Sequence, residues 1–591
     1  MGGRARARSV GADLRRPRGR DDVSHRAGRP GHPPGLRPAG SGLAAGVDLH
    51  APRRPGPAAL PPGRVGRHRL ARPSARAVHL GAAPRRRPGV PATDGPGTRG
   101  DRHDEPAAHP VPRPPGDRRR AGGRRGTVSG PDDGVILNDL HSRLNATRVR
   151  AVLSPTTTAE VVDAVRAAAA QGRAVSVCGG RHAMGGQQFG ADAVQLDLSA
   201  LTAVRAVDPE RALLSVGAGI QWPELVTELD RASSGSSRPL TFRQKQTGAD
   251  RLSLGGALAA NVHGRGLRFK PFIDDVESFV LVDAEGEIRH CSRTEDAELF
   301  ALAIGGYGLF GVITEVTLRL VPRHHLRRSV EVLDLGEVEH SFEERLRAGA
   351  TYGDFQFVTD PQAPGFLDRG VLASYVPVPD EVAPTADPVE LTAERWQELL
   401  ALAHTDKARA FDLYSAHYLS TDGQVYRSDL HQMGVYVDGY HDALGGPAAS
   451  EMITEVYLPR GELLSFMRAC QEDFRAHDVE CIYGTVRVIE PDDESFLPWA
   501  QGPRACVIFN LHVEHGAAGI DKAAADFRRI IDRALERGGS FYLTYHRWAS
   551  RSQLLAAHPR LPAFLAEKHR HDPDDRFQSE WYRHLRRTLE T

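Results

Sequence analysis

The sequence predicts an α+β protein whose second half is built on a mostly antiparallel sheet. Three observations carry this expectation. Residues 156–172, TTTAEVVDAVRAAAAQG, place apolar side chains at helical spacing. Residues 312–320, VITEVTLRL, alternate with period two, as a strand with one wet face does. After Pro322 several alternating or apolar runs recur with helical segments between them, a mixture that makes α+β layers.

The first 127 residues stand apart. They are Arg, Pro, Gly and Ala with some His and Asp, and they contain no Lys, Phe, Tyr, Trp, Cys, Ile, Asn or Gln. Such a segment cannot bury enough apolar area to offset chain entropy, so disorder is expected. The texture changes abruptly at Val128-Ser129-Gly130. The tail resembles translated GC-rich DNA upstream of a start codon, and the native protein is expected to begin near Val128. The competing reading, an Arg-rich arm for nucleic acid, lacks the Lys that such arms usually mix in. The expected organisation is a tail over 1–127, a first domain over 128–325, a second over 326–540, and a closing segment over 541–591 that returns to the first domain.

In the first domain, Thr157 or Thr158 caps the helix and Glu160 sits in its first turn. Val161, Val162, Val165 and Ala168 or Ala169 form its apolar face, and Gly172 ends it. Strands follow at 174–177, 193–198 and 213–216, then a helix with Pro223 in its first turn. Residues 279–283 and 287–291 flank Gly286 as a hairpin. In the second domain, strands are expected around 355–358, 371–376, 435–437, 453–457 and 507–511, and helices at 393–404, 460–477 and 522–537. The proline-rich stretch 377–388 reads as a surface loop.

Composition excludes several functions. Lys+Arg and Asp+Glu number 76 and 75, so there is no overall polyanion signal. The five cysteines are scattered without CxxC spacing, which argues against zinc or thioredoxin chemistry and fits a reducing cytosol. The histidines near the C-terminus lie on a mixed, charged stretch, so no metal site is expected. No apolar run approaches the ~18 residues of a membrane span, and no signal-peptide core follows Arg15 and Arg16. A cytoplasmic protein without a nucleic-acid partner is the expectation.

Three glycine-rich segments carry the chemistry: VCGGRHAMGGQ at 177–187, LSLGGALAANVHGRG at 252–266, and IGGYGLFGVITEV at 304–316. Glycines just after strands let backbone N–H groups approach an anion closely, as a dinucleotide pyrophosphate requires. The first loop lacks the full GxGxxG fingerprint and no Walker motif occurs, so neither a nicotinamide Rossmann unit nor a P-loop fits.

In their order and spacing these segments resemble the FAD-dependent oxidoreductases of the vanillyl-alcohol oxidase/p-cresol methylhydroxylase type, among them decaprenylphosphoryl-ribose oxidase and the sugar-lactone and alditol oxidases. The resemblance covers residues 144–323 well and 482–584 more loosely. It implies a PCMH-type FAD domain of two α+β subdomains and a cap domain that presents substrate to the flavin. It also implies that Gly179, Gly180, Arg181 and His182, followed by Gln187, form one pyrophosphate loop. Thr247, Gly248, Ser253, Gly255 and Gly256 match a second, Asn261, His263 and Gly264 its continuation, and Ile313 the strand beside the adenine half. His182 keeps two readings open: covalent attachment to FAD, or a hydrogen bond to phosphate.

Oxidation of an alcohol carbon needs a C–H facing flavin N5, an acceptor for the hydroxyl proton, and positive charge near flavin N1. The resemblance assigns the charge to Arg487, although Thr485 replaces the Glu that alditol and lactone oxidases carry two residues earlier. The alternative is a surface ion pair of Arg487 with Glu490, Asp492 or Asp493. Arg265 stands where a flavin- and substrate-contacting lysine is found in the ribose oxidase, and would favour a phosphate- or carboxylate-bearing substrate or else bind only the cofactor. His546 is the candidate base, Tyr545 a candidate substrate hydrogen-bond partner, and Lys568 a candidate flavin contact. The implied activity is oxidation of a CH–OH carbon in a sugar, polyol, lactone or lipid-linked sugar, with dioxygen or another acceptor reoxidising the flavin. A sterol-side-chain type reductase and a non-catalytic flavin-binding protein are the alternatives.

Overall fold

The computed structural model describes residues 134–434 and 446–590. The Arg/Pro/Gly/Ala tail, the expected start at Val128 and the strand expected at 435–437 lie outside these residues. The helix Thr158–Ala170 begins where Thr157 accepts a hydrogen bond from the Glu160 backbone N–H at 3.2 Å. It ends ahead of Gly172, whose φ of +62° is costly for residues with a Cβ. Its buried Val161, Val162, Val165 and Ala168 pack with Val175 and Leu196 of a three-stranded parallel sheet. That sheet orders Ala151–Leu153, Val194–Asp197 and Val175–Cys178, with the middle segment in the centre.

A second, antiparallel sheet follows. The hairpin Val276–Val282 and Ile288–Ser292 lies beside the long strand Val312–Pro322, which then pairs with Leu213–Gly217. From Thr314 onward the long strand alternates buried and half-buried residues, as its sequence pattern requires. The helix Leu254–Ala260 ends at Asn261, which adopts φ 47°, ψ 58° and turns the chain toward His263.

The second half carries eight antiparallel strands among the described residues. In sheet order they are Val425–Arg427, His325–Asp334, Arg369–Val378, Tyr352–Phe357, Cys481–Ile489, Arg504–Glu514, Ala449–Pro459 and Ser540–Phe541. Period-two alternation separates the faces. Val330 and Val371 pack on Tyr414 of the helix Lys407–Ser420, whereas the neighbouring Leu372 joins the core of Val338 and Phe342 from the helix Leu335–Arg347. The strand Arg369–Val378 reaches into the stretch expected to be loop from residue 377.

Two connections bind this sheet to the first half. The segment after His263 runs along the strand Tyr352–Phe357: the Gly353 N–H donates to Arg265 O and the Leu267 N–H to Thr351 O, both at 2.9 Å. The closing stretch adds Ser540–Phe541 to the far edge of the sheet, then offers Thr544 O to the N–H groups of Met184 and Gly185 at 3.2 and 3.0 Å. Farther on, Phe577 bridges Val175 in parallel register and enters the first core at 1% exposure. Replacing Phe577 with Ala therefore removes a ring shared by two distant segments. A loss of about 3–5 kcal/mol is expected, read as a lower denaturation midpoint.

Candidate FAD and substrate site

The glycine segments meet around one cavity. It is lined by Gly179, Gly180, Arg181, His182 and Gln187, by Thr247, Gly248, Ser253, Gly255 and Gly256, and by Ile313. A Cβ on Gly179 would collide with the Ser253 side chain, and one on Gly180 with the Arg251 carbonyl. A Cβ on Gly255 would come within 2.8 Å of Ala218 Cβ, because the Gly255 N–H donates to Ala218 O at 2.7 Å. Glycine is what lets these loops close on one another. Leu198, Ala218, Phe310 and Ile313 give the cavity an apolar stretch, and Ile453, Tyr483, Tyr542 and Tyr545 add a wall from the second half. Thr247 Oγ1 and Gln246 Oε1 border the cavity, buried and with no hydrogen-bond partner among the described residues. Close backbone loops, an apolar stretch, waiting polar atoms and an aromatic wall fit the phosphates, adenine and ring system of FAD.

His182 is buried at the wall, its Nδ1 2.7 Å from His141 Nε2. Burial, reinforced by His141, pushes its pKa down to about 3, so the ring is neutral at physiological pH. Gln187 donates to Leu543 O at 2.7 Å, tying the first loop to the closing stretch.

Asn261, His263 and Gly264 do not line the cavity but shape what lies beside it. Asn261 donates to Asp492 Oδ2 at 2.9 Å and accepts from the Ile273 N–H at 3.0 Å. A Cβ on Gly264 would sit 2.6 Å from Lys245 O, so that glycine permits a close backbone crossing. His263 Nε2 pairs with the carboxylate of Glu455, which is 1% exposed. Glu455 also accepts from Tyr457 Oη at 2.6 Å, Tyr545 Oη at 3.3 Å and Cys506 Sγ at 3.3 Å. Burial raises the Glu455 pKa, but His263, Tyr457 and Arg487 outweigh it and hold the carboxyl below its ordinary range.

Arg487 is 3% exposed, and its Nε and Nη1 have no hydrogen-bond partner among the described residues. The three neighbouring acids are engaged elsewhere: Glu490 by Arg460 at 2.9 Å, Asp493 by Lys270 at 2.6 Å, and the buried Asp492 by Asn261. Arg487 instead lends its charge to Glu455, Tyr483 and Tyr545. Arg265 lies away from the cavity lining, over the Tyr375 ring at 4.6 Å and 3.4 Å from Asp354.

Two more expected residues fall away from the cavity. His546 follows Tyr545 just beyond a turn at Leu543-Thr544, and there the two side chains diverge. Tyr545 lines the cavity, whereas His546 stacks between Phe541 and Trp548 and meets Phe527 edge-on. Burial, with a contribution from Arg528, pushes the His546 pKa down to about 3. The base expected at His546 is therefore a neutral core histidine. Lys568 does not line the cavity either; its ammonium donates to Asp572 at 2.7 Å and Asp575 at 3.3 Å, because the helix Leu561–His571 turns it inward at 0% exposure.

Glu455 and Lys245 were missed from sequence. Glu455 stands alone in the apolar run ITEVYLP, and a single acid on the inward phase of a buried strand was the available signal. Lys245 is fully buried and paired with Asp250 at 2.6 Å, five residues on, a link only the turn between them creates.

Residues 149–292 match a family described as an FAD binding domain. The chain is an FAD-linked oxidoreductase. A decaprenylphosphoryl-β-D-ribose oxidase from Mycolicibacterium smegmatis is 23% identical over 74% of this chain and 95% of its own length. An L-gulono-1,4-lactone dehydrogenase from Mycobacterium tuberculosis is 25% identical over the same shares. An uncharacterized oxidoreductase, ORF5 of the fasciation locus of Rhodococcoides fascians, is 33% identical over 31% of this chain, which spans 40% of that protein. Among the described residues of the oxidoreductase, no helix is long and apolar enough to cross a membrane. Gly179→Val is expected to leave the oxidoreductase folded by circular dichroism but to weaken flavin retention at least tenfold, measured as the 450 nm to 280 nm absorbance ratio after gel filtration.

Proposed function

We propose that this oxidoreductase oxidises a CH–OH carbon of a sugar, sugar lactone or lipid-linked sugar. The observation that carries the reading is a buried Glu455–His263 pair and a buried arginine with two donors unfilled among the described residues, beside the aromatic wall of the FAD cavity. Bound FAD supplies the hydride acceptor; the chain supplies everything else. The substrate C–H bond breaks with its electron pair leaving as hydride, and the hydroxyl proton leaves toward the Glu455–His263 pair. Tyr545, at the cavity wall and bonded to Glu455, links that pair to the substrate space. Burial, then the charge of Glu455, raises the Tyr545 pKa well above its usual value, so its hydroxyl relays a hydrogen bond without ionising. Arg487 holds positive charge where negative charge develops. The substrate class rests on the named oxidase and dehydrogenase relatives, and dioxygen or another acceptor completes the cycle.

Anaerobic bleaching at 450 nm against a panel of sugars, sugar lactones and lipid-linked sugars tests the reading; absence of bleaching by every member would remove it. With the active substrate, Arg487→Ala is expected to slow flavin reduction at least a hundredfold. Glu455→Gln should slow it about 10²–10⁴-fold. Because Glu455 stays ionised below the ordinary carboxylate range, the acid limb of the wild-type rate profile should fall below the range of a free glutamate. A neutral His182 at the cavity wall supports covalent attachment of the flavin through that ring. Acid precipitation is expected to leave yellow colour in the protein pellet, and colour only in the supernatant would reduce His182 to a hydrogen-bonding role.

A further inference from the structure

The strand Ala449–Pro459 presents Glu451, Ile453 and Glu455 on one face. Ile453 lines the FAD cavity; one step farther, Glu451 stands opposite His512 of the neighbouring strand. His404, in the last turn of the helix Ala393–Thr405, joins them. His404 Nε2 and His512 Nδ1 each lie 3.2 Å from Glu451 Oε1, and one donor atom from each residue falls within 4.8 Å of the others. A tetrahedral ion with bonds of about 2.0–2.1 Å sets its donors about 3.3 Å apart. The other ring nitrogen of His404, Nδ1, faces the Glu480 carboxylate at 3.8 Å. A carboxylate on the far side of a metal-binding histidine is a common partner that orients the ring. The three side chains are 9%, 5% and 21% exposed, so the group sits largely out of water.

We infer that His404, Glu451 and His512 bind a divalent ion of the zinc class. The sequence pattern gave no warning, since the residues come from one helix and two strands far apart in the chain. The inference does not depend on the redox reading, because none of the three residues lines the FAD cavity.

The test uses Co²⁺ on the chelator-treated, full-length flavoprotein. Expected are one equivalent bound per chain at pH 8 and ligand-field absorption between about 500 and 650 nm, characteristic of a four-coordinate nitrogen and oxygen site. His512→Ala and Glu451→Gln should each weaken binding at least tenfold while flavin absorbance and thermal midpoint stay near wild type. His571→Ala, in the separate Glu298–Glu567–His571 group, should change nothing. If Glu451→Gln fails to fold, the more exposed His512→Ala carries the test. Absence of stoichiometric binding in the wild type, or equal affinity in His512→Ala, overturns the site.

Discussion

A carboxylate sealed from water must be compensated by donors or it gives up its charge. Glu455 meets that requirement by drawing donors from every part of the fold that surrounds the reaction space. His263 arrives on the loop beyond the second glycine segment, Tyr545 on the closing stretch, Tyr457 from the same strand and Cys506 from the adjacent one. Trp499 stacks on Tyr457 at 4.3 Å and donates to Asn261 O at 3.0 Å, so the turn that delivers His263 is braced from behind. One buried charge thereby fixes the relative positions of a loop, a sheet and a chain terminus. Its aromatic and thiol neighbours are pushed toward their neutral forms by the same burial.

The division of labour follows from what each layer can do. Glycine loops at the ends of strands approach a phosphate closely but bring no strong acid or base of their own. The eight-stranded sheet brings side chains at fixed spacing on one face, and there Tyr483, Thr485 and Arg487 share the phase of Glu455 across the intervening strand. Thr485 stands where the sequence resemblance led one to expect an acid. It pairs with Ile508, which pairs in turn with Glu455. An acid therefore remains on that face, two strands away from where the motif would put it.

The first half was legible because its signals are local. The helix at Thr158–Ala170, the Gly286 hairpin and the long strand from Val312 each follow from spacing and turn chemistry within a dozen residues. The glycine loops were legible for the same reason, and they line one cavity. The reacting groups were harder to read. Glu455 looks like any strand residue until the sheet is assembled, and Lys245 gains its meaning only from Asp250. His546 misled because its neighbours in sequence are aromatic and the turn that sends its ring into the core cannot be read from composition. Lys568 misled because a helix, and not a loop, carries it, and the helix turns it toward Asp572. Short-range grammar gave the cofactor loops; tertiary parity decided which polar groups face the chemistry.

The closing segment has a consequence for cooperativity. Leu543 and Thr544 hold the first glycine loop by their carbonyls, and Phe577 fills the core under the first sheet. Detaching that one stretch would free the loop and open the core together, so the flavin cradle and the first sheet are expected to melt as a single unit.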